Sequence, residues 1–238
     1  MSNSTPAAQK VDQPNSLHMI AVLGGFSFLS GFLIFFVAHA TEAGIKQNRL
    51  EQLRGAVFQV LPGAVSSQAF AVESDGFRPV EIDDPTPGMK KVYGGYDESG
   101  ALVGVAIEVA AQGYQDVIRA IYGYDPGIGR TLGFAVLQSS ETPGLGDLIG
   151  KDPEFLANFF ASETSQDTLS LELTADGLGL AHAVEFAKSG EKSKPWQIEG
   201  ISGATISSKA VVRMLNDGSQ EIIPLIHAHL GQLQKGSS

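Results

Sequence analysis

The apolar positions divide the chain into three stretches with different periods. Met19 to Ala38, MIAVLGGFSFLSGFLIFFVA, is apolar or small throughout and carries no charge. A helix of that length extends about 30 Å, the thickness of a bilayer's hydrocarbon core. The stretch predicts a transmembrane helix over 19–38. Ala38-His39-Ala40 also fits the A-x-A cleavage pattern of a secretory signal. The apolar run is long for a signal, however, and only Lys10 precedes it, so an uncleaved anchor is expected. Gly24, Ser27 and Gly31 fall about one turn apart and would let another helix approach closely. Residues 1–18 and the closing KGSS show no period and are expected to be disordered tails.

The period then becomes that of an amphipathic helix. Leu50, Leu53, Val57, Val60 and Leu61 recur at steps of three and four, and Pro62-Gly63 stops the pattern. A membrane-proximal helix is expected within 39–63. The Pro-, Gly- and Asp-rich stretch from Ser74 to Lys91 reads as a loop or short edge strands.

Beyond it apolar and small residues alternate. ALVGVAIEVAAQGY, DVIRAIYGYD and TLGFAVLQ predict three strands joined by short connections containing glycine, an antiparallel meander. Pro153 to Ala161 predicts a helix capped by Asp152, and LSLELT alternates again. Ser207 to Leu215 and Ile222 to Leu233 carry helical patterns, with Ser207 or Ser208 as the expected cap. The fold class is α+β: an antiparallel sheet with flanking helices over 64–234, preceded by one transmembrane helix.

Composition narrows the chemistry. The 238 residues are 43% hydrophobic and 18% charged, enough for a packed core. A net charge of -10 argues against nucleic acid as a partner. The chain has no cysteine, which excludes disulfides, thiol catalysis and iron–sulfur ligation by this chain. The histidines show no metal-ligand spacing. Lys46, Arg49 and Arg54 follow the apolar run while Lys10 precedes it, so the positive-inside rule alone would place the large C-terminal part in the cytoplasm.

Two short stretches hold the candidate chemistry. ETPGLGD, Glu141 to Asp147, follows the third strand. Pro143-Gly144 suits a type II turn, and Gly144 and Gly146 allow backbone N–H groups to approach a ligand. GISGATISSKAVV, Gly200 to Val212, places Ser202, Gly203, Ala204 and Thr205 just before a helix start. A helix start presents unpaired N–H groups and the positive end of the dipole, a natural phosphate site. From the residues alone, an ordinary capped helix and an anchored module binding a noncovalent anion both remain open. A hydrolase pairing Glu141 with Asp147 or Glu199 is a further reading, although nothing in the sequence brings those carboxylates together.

Ser202-Gly203-Ala204-Thr205 resembles the [ST]-G-A-T attachment motif of the FMN-binding domain family, and Glu141-Thr142-Pro143-Gly144-Leu145-Gly146 resembles that family's second hallmark loop. With one preceding membrane helix and GYQDVIRAIYGYDPG ahead of the loop, the chain is similar to the flavin-carrying subunits of Rnf-type electron-transport complexes. The related sodium-pumping NADH:quinone reductases share both motifs. The resemblance implies FMN joined through its phosphate to Thr205 by a flavin transferase, with Ser202, Gly203, Ala204, Glu141, Thr142, Gly144, Leu145 and Gly146 around the cofactor. Gly203 and Ala204 would be small so that the transferase and flavin can reach the hydroxyl. Tyr114, Tyr122 and Tyr124 are weaker candidates for ring contacts. It further implies an electron carrier working with other membrane and peripheral subunits, its flavin domain outside the cytoplasmic membrane. That side is opposite to the one given by the charge count. The chain lacks a dinucleotide-binding glycine fingerprint and cysteine clusters, so NAD and ferredoxin chemistry would sit on other subunits.

Overall fold

The computed structural model describes residues 16–84, 86, 88–160 and 168–234. The expected tails fall largely outside these residues, although 16–18 are already helical. Helix α1 runs unbroken from Ser16 to Val60. It carries both the apolar run and the amphipathic segment, because HATEAGIKQNR between them contains no proline to interrupt the backbone bonds. Every residue from Ser16 to Arg49 is exposed, including a stripe of stacked rings, Phe28, Phe32 and Phe36. The chain divides into two compact units at Arg49/Leu50.

The second unit is built on a six-stranded antiparallel sheet. Its strands are β1 (Ser66–Glu73), β2 (Gly76–Val80), β3 (Lys91–Tyr96), β4 (Leu102–Gln112), β5 (Val117–Asp125) and β6 (Arg130–Gln138), in the order β2-β1-β3-β4-β5-β6. The expected meander is β4-β5-β6, and β1 and β3 extend it. Helix α2 is short, Pro153–Leu156, and Asp152 caps it as expected by accepting from the Glu154 and Phe155 N–H groups. LSLELT is not a strand; within it only Ser170 and Leu173 form isolated bridges. A parallel pair, β7 (Glu185–Ala187) and β8 (Gln197–Glu199), lies apart from the main sheet.

Alternation along the strands feeds two apolar layers. Phe70, Val92, Ile107, Tyr122 and Phe134 pack with the buried face of helix α3 (Thr205–Ala228). Ala69, Tyr93, Ala106, Ile121 and Ala135 point the other way and pack with Val57, Val60 and Leu61. The end of α1 lies so close to this second face that a Cβ at Gly123 would sit 1.9 Å from the Val60 carbonyl oxygen. The amphipathic pattern of 50–61 therefore serves the domain's own core.

The two helical patterns near the C-terminus are one helix, α3, followed by a short α4 (Leu230–Gln234). Gly218 is a packing position and not a break: a Cβ there would lie 2.3 Å from Val109 Cγ1 on β4. Pro224 sits inside the helix. Polar ties cross the core, from Tyr122 Oη to Ser219 Oγ at 2.8 Å and from Tyr124 Oη to His227 Nε2 at 2.8 Å. At the outer strand β2, Phe77 N–H donates to Gln232 Oε1 of α4 at 2.7 Å. Pro79, the next residue of the same parity, has no N–H, and Tyr96 Oη donates to the Leu233 carbonyl at 2.6 Å.

Candidate functional site

The loop after β6 forms the expected turn. Leu145 N–H donates to the Thr142 carbonyl at 3.1 Å, and Gly144 has φ +76, the left-handed conformation that a type II turn needs after proline. Gly144 N–H donates to Asp147 Oδ1 at 2.7 Å, and Lys151 Nζ reaches Asp147 Oδ2 at 2.6 Å. The Lys151 hydrogen bond, helped by the Gly144 N–H, holds the Asp147 carboxyl below the usual aspartate range. Leu145 and Thr142 lie on this loop, Leu145 half exposed to water. Thr142 Oγ1 accepts from Gln115 Nε2 at 2.7 Å.

Glu141 is unlike its neighbours in being only 6% exposed. Its Oε1 accepts the backbone N–H groups of Tyr114 at 2.9 Å and Gln115 at 3.0 Å. Its Oε2 accepts the Ser207 hydroxyl.

The second motif begins α3 earlier than its serines indicate. The helix starts at Thr205 with Ala204 as cap, and no side chain caps it. Ser207 and Ser208 are inside the helix and buried, which corrects their expected role as caps. Ser208 Oγ accepts from Ile201 N–H at 3.1 Å and lies 3.0 Å from the Ala204 carbonyl, its own acceptor. The first intrahelical bond runs from Ser208 N–H to the Ala204 carbonyl at 2.9 Å. The N–H groups of Thr205, Ile206 and Ser207 therefore precede the ladder and have no intrahelical acceptor. Ser202, Gly203 and Thr205 are exposed, and so is Lys209, one turn on from Thr205.

The two motifs meet. A Cβ on Gly203 would lie 3.8 Å from Leu145 Cδ2, and the bond between Ser207 and Glu141 links residues 66 apart in sequence. Gly203 has φ +86, so its backbone conformation requires glycine. Ordinary contact distance at the Cβ position means that room alone does not. An open cleft of about 560 Å³ adjoins Ser202 and is lined by Leu148, Phe155 and Ile201 together with Asp152, Glu154 and Glu199.

The other sequence candidates are placed elsewhere. Tyr122 and Tyr124 are core residues whose hydroxyl pKa values burial pushes up, while Tyr114 is 66% exposed on the turn that holds Glu141. The carboxylates of the hydrolase reading have separate partners: Asp147 has Lys151, and Glu199 accepts from Gly190 N–H. A turn at Gly113-Tyr114 is expected from the sequence, but its bonds to Glu141 and the inward role of Ser207 are not, because no local pattern links residues so far apart in the chain.

Residues 113–220 match the FMN-binding domain family. The chain is 30% identical over 208 residues to the G subunit of the ion-translocating oxidoreductase complex of Methanosarcina acetivorans, covering 86% of this chain and 93% of that one. It is 29% identical over 201 residues to the protein of the same name from Cereibacter sphaeroides, covering 83% and 80%. The crystal structure of Shewanella oneidensis NqrC is similar with a TM-score of 0.61, over 80% of this chain and 100% of that one, at 17% identity, which is a likeness of fold.

Proposed function

The chain belongs to the family of G subunits of ion-translocating oxidoreductase complexes, and we propose that it serves such a complex as a membrane-anchored electron carrier with FMN joined covalently to Thr205. FMN binding follows from the domain, and a single-pass membrane anchor from the apolar half of α1. The attachment at Thr205 rests on one observation above all. An exposed hydroxyl stands at the first position of a 24-residue helix whose cap, Ala204, offers its free N–H groups no side-chain partner.

A phosphodiester on Thr205 Oγ1 would carry one negative charge beside those donors and the positive end of the helix. Such placement stabilises an anion by about 0.3–1 kcal/mol at an exposed site. Lys209 stands one turn along, with its ammonium 5.2 Å from the centre of the Phe186 ring. The cleft beside Ser202 gives a tethered ring apolar walls at Leu148, Phe155 and Ile201. FMN supplies one- and two-electron redox chemistry when bound, and the chain supplies attachment and orientation.

Attachment requires a flavin transferase and an activated flavin phosphoanhydride. The Thr205 Oγ1–P bond forms as the anhydride P–O bond breaks, the second phosphate of the anhydride departs with the bridging oxygen, and the hydroxyl proton passes to a base. The net addition is FMN less one water. Covalent attachment keeps the flavin where free FMN is scarce, which accords with a domain on the extracytoplasmic side and a complex whose other subunits supply the remaining redox centres. Because the chain has no cysteine, a single Ser99→Cys change in the exposed 97–100 turn reports the side. Labelling by an impermeant thiol reagent in intact cells is expected, and labelling only after lysis would reverse the topology.

The intact mass of protein purified from its native membrane, measured under denaturing conditions, tests the attachment. The expected result is FMN less one water on the peptide containing Thr205. Flavin released on denaturation would instead make the chain a noncovalent binding module.

A further inference from the structure

The inference concerns Glu141 and rests on the covalent-flavin reading above. The family resemblance places Glu141 beside the cofactor, yet both its oxygens are engaged within the protein. Oε1 holds the Tyr114 and Gln115 N–H groups, and Oε2 holds the Ser207 hydroxyl. The surrounding backbone leaves room for this carboxylate and little else. A Cβ at Gly113 would lie 2.5 Å from Oε1, and a Cβ at Gly146 would lie 2.5 Å from Oε2 and 2.6 Å from Ser207 Oγ. A buried carboxylate is costly unless its lone pairs meet donors, and here the donors come from separate segments of the chain.

We infer that Ser207, acting through Glu141, is the positioning residue that fixes how α3 presents Thr205 to the incoming flavin phosphate. Residues two apart on a helix point roughly 200° apart. Pinning Ser207 inward against Glu141 therefore sets the rotation of the first turn and directs Thr205 outward. The same carboxylate ties the Gly113–Gln115 turn and the 141–147 loop to that turn of helix. Glu141 is on this account a positioning residue and not a flavin contact; with Ser207 it fills the Cβ space of Gly146, and it shares that of Gly113 with Ile118 and the Asp116 carbonyl.

The test uses the flavin-free full chain with a flavin transferase and its flavin donor, following loading by intact mass. S207A is expected to load roughly tenfold or more slowly, since small misplacements of a reacting group cost that much, yet to reach the same final mass. E141A is expected to slow loading similarly. E141Q keeps an oxygen for the two N–H groups and an amide that can donate to Ser207, so it restores most of the rate lost in E141A. The double variant E141A/S207A is expected to be no slower than E141A, because both changes cut one link.

A wild-type loading rate in S207A, or multiplying effects in the double variant, overturns the inference and leaves Thr205 as the attachment site. In the flavin-free protein, amide exchange at Tyr114 and Gln115 is expected to quicken in S207A, and unchanged exchange overturns the inference even where loading falls. A wild type that takes no covalent flavin overturns the attachment reading, while the exchange result still decides whether Ser207 holds the turn. If E141A fails to fold, S207A and E141Q carry the comparison.

Discussion

Thr205 and Ser207 bear similar hydroxyls two residues apart on one helical turn, and their surroundings are opposite. Ser202, Gly203, Thr205, Ile206 and Lys209 face water, whereas Ala204, Ser207, Ser208 and Ala210 are buried. The outer side leaves the Ser202 and Thr205 hydroxyls and helix N–H groups available. The inner side spends every hydroxyl on an internal partner. Helix rotation thus separates the exposed Thr205 hydroxyl from those of Ser207 and Ser208, and residue type alone does not.

The largest test of that division is Thr205→Ala. Covalent flavin should be lost entirely, as read by denatured mass, while stability stays within about 0.5 kcal/mol because the side chain is exposed. Gly203→Val and Gly203→Ala should both destabilise by about 1–3 kcal/mol, since each forces a side chain into a left-handed backbone. Gly203→Asn should cost least, because asparagine tolerates that region. If valine loaded far more slowly than alanine at matched stability, room for the transferase would be a reason for the glycine as well.

Ser208→Ala probes the inner side. It removes the acceptor of the part-buried Ile201 N–H and should cost about 0.5–1.5 kcal/mol, with Thr205 still reaching full loading. The smallest effect belongs to Asp147, on the exposed loop. Its pKa is depressed, chiefly by the Lys151 hydrogen bond. The stabilisation is therefore present above the ordinary aspartate value of 3.8 and is lost as pH falls through the lower folded value. Melting curves between about pH 5 and about pH 2 should show a shallow acid-side loss that Asp147→Asn removes.

The membrane helix and the β4-β5-β6 meander were legible because their periods are strong and local. The type II turn at Pro143-Gly144 and the Asp152 cap were legible because turn and cap chemistry is local too. β1 and β3 were not, since SSQAFAVE opens on three polar residues and KVYGGY carries paired glycines that read as loop. LSLELT alternates like a strand, but its neighbours leave it only isolated bridges. The start of α3 was displaced because Ala204 caps without a side chain, so the serines appeared to be the only available caps. The helical patterns at 207–215 and 222–233 join in one helix, and Gly218 between them is in contact with Val109. Ser202, Gly203 and Thr205 were singled out from motif and resemblance, and all three face water. The partners of Glu141 were not, because they come from distant segments.

The outer strand has a consequence for how copies of this protein coexist. Of the two β2 residues of that parity, Phe77 has its donor taken by Gln232 and Pro79 has none to offer. A bare outer strand is a template for recruiting a second chain. Here that route is closed by the chain's own C-terminal helix. Copies concentrated on a membrane plane are thus kept from pairing through their β2 edges.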